Sequence, residues 1–315
     1  MGGLYHLMIK EAQRYQTFKS LNGRDILDFP LHVPMGIDVL DFLDDTFRKY
    51  YLLLAHMQKL HASQFVKIDI DGIKKLGTAI LDTLKLFRKG QIADAYFSFE
   101  QHVVEIYDNL PKWEMKGGEY YRMRKDRNIK RVSQMYPIPP ELRYLSGGMR
   151  FSIPGYSCLY IGLSKSVCKI EISETGSMVN IKPRENEKFN LLDLTFSDDM
   201  QNGGNEELKF IHSWPLIASC YIEQFYCLRG NRVCPPENIK FNEGYVIPQF
   251  LTTFIRKNHN DINGIRYYTV KDKSLDAFGI GEKNMKNIVI YVDSSSDQSY
   301  DDLIKKFEWG EPYNV

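Results

Sequence analysis

The chain has 315 residues, 43% of them hydrophobic and 26% charged, which is ordinary for a soluble globular protein of one large domain or two. Lys and Arg number 41 against 40 Asp and Glu, so the basic excess expected of a general nucleic-acid binder is missing. No run approaches the roughly 18 apolar residues of a membrane span, the N-terminus carries no apolar signal core, and an odd count of five cysteines does not make a disulfide framework; a cytoplasmic setting is expected.

The first stretch, to residue 111, reads as helical. Ile37, Leu40, Leu43 and Phe47 recur at helical spacing, and Tyr50, Leu53, Leu54 and Met57 extend the stripe. Asp38, Asp41, Asp44 and Asp45 lie early in this segment and Arg48, Lys49 and Lys59 late, the order a helix dipole favours. A second helix is predicted from Asp71 to Arg88, ended by Gly90, and a third from Ile92 to Tyr107, ended before Pro111. His56, His61 and His102 are loosely spaced, and Cys220, Cys227 and Cys234 recur every seven residues. Neither pattern is a zinc spacing, so no metal is expected.

Residues 112–131 hold eight basic residues against three acidic ones. Within them Tyr120-Tyr121-Arg122-Met123-Arg124 reads either as a solvated basic segment or as a strand whose Arg122 or Arg124 reaches a phosphate. Pro137, Pro139, Pro140, Gly147, Gly148, Pro154 and Gly155 then make a long loop containing Arg150. Ser157–Gly162 is a short strand, and Ser164 caps a following helix or turn that carries Cys168 and Glu171. Leu191–Phe196 is a further strand, Trp214–Tyr226 a buried helix, Gly244–Arg256 a helix with Pro248 near its first turn, Ile265–Val270 a strand after an Asn263-Gly264 turn, and Asn287–Val292 a buried strand. The acidic tail is expected to form a surface turn and a short helix. The whole is an α+β arrangement with no Rossmann or phosphate-loop motif.

Three residues suggest chemistry. Arg150 follows two glycines and offers a planar fork for a phosphate. Tyr160 lies in an apolar strand, and Glu171 sits between Ile170 and Ile172, where a carboxylate is partly buried and therefore paired or functional. Together they suit cleavage of a bond from ribose C1′ to a nitrogen base: the arginine holds pyrophosphate, the ring lines the pocket and the carboxylate stabilises the positive sugar. Arg266, on a predicted strand, is a candidate second phosphate contact.

The run Arg150-Phe151-Ser152-Ile153-Pro154-Gly155, then Leu159-Tyr160-Ile161-Gly162-Leu163-Ser164, then Glu171 resembles the RES domain family. The later blocks Asn242–Gln249 and Gly264–Thr269 resemble the C-terminal half of its longer members, so the likeness spans residues 118–295 and leaves the helical N-terminus unexplained. It implies an ADP-ribosyltransferase-like fold over 112–315 and NAD⁺ as substrate. It further implies a toxin that hydrolyses or phosphorolyses NAD⁺ and pairs with an antitoxin covering the site, with homo-oligomerisation open. The family's serine falls at Thr269, with Ser274 as a substitute. Two other readings stand beside this one. In the first, ADP-ribose is transferred to a macromolecule; Lys169, two positions before Glu171 where a second acid would serve, counts against transfer to arginine. In the second, the protein binds or senses NAD⁺ without turnover.

Overall fold

The computed structural model describes residues 4–20, 26–65, 68–196, 204–224, 227–229, 232–234, 241–271, 285–292 and 297–315. Met1–Pro111 with Phe196–Phe254 form one compact unit, and Lys112–Thr195 with Ile255–Val315 form another. Residues 196–254, expected in the second domain, thus cluster with the N-terminal helices. The protein is α+β, with an N-terminal helical region and a mixed sheet.

In chain order the first unit opens with α1 (Leu4–Arg14), β1 (Leu31–Val33), α2 (Val39–Leu60), α3 (Ala62–Phe65), α4 (Ile70–Arg88) and α5 (Ile92–Ile106). The second unit follows with β2 (Lys112–Met115), β3 (Tyr120–Arg124), β4 (Cys158–Gly162), α6 (Lys165–Ile172), β5 (Ser177–Pro183) and β6 (Phe189–Asp193). The chain then supplies α7 (Asn205–Cys220), β7 (Ile222–Gln224), β8 (Cys227–Arg229) and β9 (Arg232–Cys234) to the first unit, which ends within α8 (Val246–Asn258). Last come β10 (Gly264–Tyr268), β11 (Lys286–Tyr291), α9 (Asp297–Lys305), β12 (Phe307–Trp309) and β13 (Tyr313–Asn314). Among the described residues no helix is long and apolar enough to cross a membrane.

In the first unit the Asp38 carboxylate caps α2, accepting from Leu40 N at 2.8 Å and Asp41 N at 3.4 Å. The buried stripe of α2 runs Phe42, Leu43, Phe47, Tyr50, Leu53, Leu54, Met57, as the spacing predicts. Tyr50 stacks on Trp214 of α7 with ring centroids 4.0 Å apart, and its hydroxyl donates to Ile211 O at 2.8 Å. The α7 helix begins nine residues before the predicted Trp214 start. Glu206 and Glu207 occupy its first turn, where the dipole favours acids. It stops at Cys220 because Ile222–Gln224 pair in parallel with Leu31–Val33. Gly90, at φ +76°, ends α4 in the left-handed region that favours glycine.

The second unit is built on one sheet, in the order β12-β5-β3-β4-β11-β10-β6-β2, with β13 also on β5. Neighbours are antiparallel except β10 and β6. The tail, expected to end as a surface helix, instead adds two strands after α9, and Phe307 is almost fully buried. Side chains alternate between the two faces, so register assigns each face. Leu159, Ile161, Ile288, Ile290 and Leu191 share one face and pack with Tyr120, Val179, Leu303 and Phe307 into the main core. Burial of each such Leu or Ile contributes roughly 1.5–3 kcal/mol. Tyr160, Gly162, Asn287, Val289 and Tyr267 share the opposite face.

Candidate active site

The helix carrying Glu171 rests on that opposite face. Ser164 accepts from Val167 N at 3.2 Å and starts α6 as its spacing predicts. Val167 and Cys168 then pack on Met123 and Met178, and Cys168 Sγ lies 3.2 Å from Tyr121 O. The approach to β4 is close enough to require Gly162: a Cβ there would lie 2.5 Å from Val167 Cγ1 and 2.7 Å from Cys168 Sγ. Position 162 therefore sets the depth of α6, and with it the height of Glu171 over the sheet.

Glu171 reaches groups from two neighbouring strands. Its Oε1 accepts from Thr269 Oγ1 at 2.6 Å and from Asn287 Nδ2 at 2.9 Å. Thr269 Oγ1 in turn accepts from Lys271 N at 3.2 Å, which directs the hydroxyl proton toward the carboxylate. Glu171 Oε2 accepts no hydrogen bond among the described residues; the Lys271 ammonium lies 3.9 Å from it and also bonds the Glu171 carbonyl. The Glu171 side chain is 23% exposed: Oε1 carries both hydrogen bonds, and Oε2 faces the Lys271 ammonium.

The arginine loop meets the same face. Met149 and Ser152 exchange backbone hydrogen bonds at 2.9 and 3.3 Å, closing a tight turn around Arg150 and Phe151. The Phe151 ring lies 4.7 Å from the Tyr267 ring, and Tyr160 Oη donates to Ser152 Oγ at 3.0 Å. Arg150 itself is buried, with only 6% of its surface exposed. Tyr160, Glu171 and Thr269 thus come from a central strand, a helix and a strand end on one side of the sheet, where the turn holding Arg150 packs through Phe151 and Ser152. Ser274 lies outside the described residues.

Arg122, Arg124 and Arg266 are placed otherwise. Tyr121 is paired with Gly162, so Arg122 and Arg124 share the core face with Tyr120. Arg122 donates to Met135 O at 2.6 Å and to Tyr160 O at 2.9 Å, and Arg124 donates to Tyr136 O at 2.7 Å. They tie the loop that starts at residue 132 to the sheet, and burial, then the Arg124 charge, lowers the pKa of Arg122. Arg266 is paired with Ile288 and also faces the core. It lies 3.3 Å from Asp193 Oδ1, donates to Thr195 Oγ1 at 3.2 and 3.3 Å, and covers the Trp113 ring at 4.3 Å. Each of these three arginines, read from sequence as a candidate phosphate contact, bonds protein partners on the far side of the sheet from Glu171.

Asn287 and Lys271 were not singled out from sequence. The signal for Asn287 was there: a carboxamide inside a strand that is otherwise apolar needs a buried partner. Lys271 carried no local signal, since it follows a strand and is half exposed. Burial pushes the Cys158 and Cys168 thiols up to about 12, which disfavours the thiolate at both.

Comparison with known proteins adds one relationship. The chain is 24% identical, over 319 aligned positions, to a Bacillus subtilis (strain 168) protein described as "Putative toxin YopC". The alignment covers 91% of this chain and 68% of that protein. No family model matches the chain, and no solved structure matches it.

Proposed function

We propose that the second unit cleaves the nicotinamide–ribose bond of NAD⁺ and that the protein acts as a toxin. The observation that carries the reading is the partly exposed Glu171 carboxylate: Oε1 is held by Thr269 and Asn287 while Oε2 accepts no hydrogen bond among the described residues, on the sheet face that also receives Tyr160 and the Arg150 turn. The resemblance to RES domains supports NAD⁺ as the ligand, and the similarity to a protein described as a toxin supports the biological role.

Cleavage breaks the C1′–N bond heterolytically. The electron pair goes to the pyridinium nitrogen and leaves neutral nicotinamide, while the ribosyl group takes on positive charge. A carboxylate at Oε2 stabilises that charge most where the site is dry and pre-organised. Water or phosphate then adds to C1′, and water releases its proton to solvent. In this reading Arg150 holds pyrophosphate and Tyr160 lines the pocket. A partner covering the sheet face would act as the antitoxin.

The test is direct. Purified protein is incubated with NAD⁺, with and without inorganic phosphate, and nicotinamide release is followed. The reading expects release by the native chain and none by Glu171→Gln, together with growth arrest on expression that Glu171→Gln relieves. Absence of release by the native chain, or equal release by Glu171→Ala, overturns it.

A further inference from the structure

We propose that Asn287 is a positioning residue that fixes the orientation of the Glu171 carboxylate toward the ligand. The proposal rests on the reading of Glu171 as the carboxylate that stabilises the ribosyl cation. Asn287 lies at the head of β11, a central strand whose backbone is fixed on both sides: it is paired with Gly162 of β4 and Tyr267 of β10. Its side chain is held as well, because the residue is only 5% exposed. The carboxamide therefore presents Nδ2 from a rigid element, in contrast to the half-exposed Lys271.

Both donors to Glu171 address the same oxygen. Thr269 Oγ1 approaches Oε1 at 2.6 Å and Asn287 Nδ2 approaches it at 2.9 Å. Two donors from different directions fix the plane of the carboxylate, which a single hydroxyl, able to follow a turning carboxylate, would not. The hydrogen bond from Nδ2 is to a charged acceptor and brings no charge of its own. A cation at position 287 would hold the carboxylate too, but would oppose the positive charge that develops on the sugar.

The charged and titratable neighbours of Glu171 are the Lys271 ammonium, 3.9 Å from Oε2, and the Cys168 thiol on the preceding turn of α6. Burial pushes that thiol up to about 12, so it stays neutral, and Lys271 stays charged, across the range in which Glu171 titrates. A change in the Glu171 carboxyl resonance on altering residue 287 thus reports residue 287.

The experiment uses the full chain with ¹³C-carboxyl-labelled glutamate, the Glu171 signal being assigned by its loss in Glu171→Gln. Asn287→Ala removes one donor, and the near-isosteric Asn287→Asp keeps the volume but places a second acid beside the first. The Glu171 carboxyl resonance is expected to shift in both variants, which lose the Nδ2 donor. With NAD⁺, kcat is expected to fall by about ten- to a hundredfold while KM changes far less. A folded Asn287→Ala or Asn287→Asp with the native carboxyl resonance and native kcat overturns the proposal. A shifted resonance in a protein whose native form leaves NAD⁺ intact supports the anchoring by Asn287 and overturns the assigned reaction instead.

Discussion

The Thr269 hydroxyl donates to the Glu171 carboxylate across 2.6 Å, joining a strand end to a helix 98 positions earlier in the chain. Thr269→Ser keeps this hydroxyl and loses only a methyl group. Thr269→Val keeps the shape and loses the hydroxyl. The serine variant is expected to retain NAD⁺ cleavage within a few-fold of the native chain. The valine variant is expected to lose about ten- to a hundredfold in kcat, the span of a hydrogen bond to a charged group. Steady-state nicotinamide release measures both, and equal rates for the two variants would argue against the hydroxyl.

Arg266 and Asp193 form a buried pair, exposed 5% and 1% respectively. Arg266→Met leaves the carboxylate without its cation and is expected to cost about 3–5 kcal/mol in urea unfolding. Burial raises the pKa of Asp193 above its ordinary value, while Arg266 pulls it down. A raised carboxyl stabilises the fold below its unfolded pKa of about 3.9, and that contribution is lost as pH rises through the folded value. Without Arg266 the folded value rises further. The variant's deficit should therefore widen as pH climbs from acid toward neutrality, and Asp193→Asn in the same chain should flatten the dependence. A deficit that is constant with pH would place the cost elsewhere, for instance in the lost contact with Trp113.

In the helical unit, Arg88 joins Asp38 at 2.9 Å to Glu243, which it grips with Nε and Nη2. Burial pushes Asp38 up, but the hydrogen bond from Arg88 and the Leu40 amide outweigh it, so its pKa is lowered. The sign is opposite to that of Asp193. The stability Asp38 contributes is present above its unfolded pKa and is lost as pH falls through its folded value. Asp38→Ala should cost about 1 kcal/mol at neutral pH, the usual worth of an N-cap. Native and variant melting curves should converge below pH 4 or so, within roughly the range where free aspartate protonates. Melting temperatures that stay apart in acid would rule this out.

Gly162 separates packing from chemistry. Gly162→Val forces Val167 and Cys168 away from β4 and is expected to cost about 1–3 kcal/mol by overpacking. Because α6 carries Glu171, activity at a temperature where the variant is fully folded should fall as well. Full activity in a folded Gly162→Val protein would show that the carboxylate tolerates a displaced helix.

Much of this architecture could be read from local patterns. The helical stripe from Phe42 to Met57, the Ser164 cap and the apolar run Ile288–Ile290 each carry their signal within a few residues. What escaped was non-local. Phe307, Trp309 and Tyr313 alternate as strands do, but β12 and β13 are short and become strands only by pairing with β5, more than a hundred positions away. Arg122 and Arg124 were legible as strand residues and not as members of a face. Period-two alternation says that both point the same way, and only the pairing of Tyr121 with Gly162 says which way. The candidate site divides likewise. Arg150, Tyr160 and Glu171 stand in one stretch and announce themselves by type and order, whereas Asn287 acquires a role only when β11 is laid beside β4 and β10.

The parallel pairing of Leu191–Asp193 with Gly264–Arg266 has a consequence for how the protein can be cut. The chain between these two strands leaves to build part of the helical unit, where α7 buries Phe210, Ile211 and Trp214. During translation the sheet must wait, half made, while an excursion of some seventy residues finds partners that left the ribosome long before. A fragment starting at Lys112 would carry that excursion without those partners and would expose its apolar side. The smallest self-sufficient version of the sheet is therefore a splice, 112–195 joined by a short bridge to 255–315, and a simple truncation would be an aggregating one.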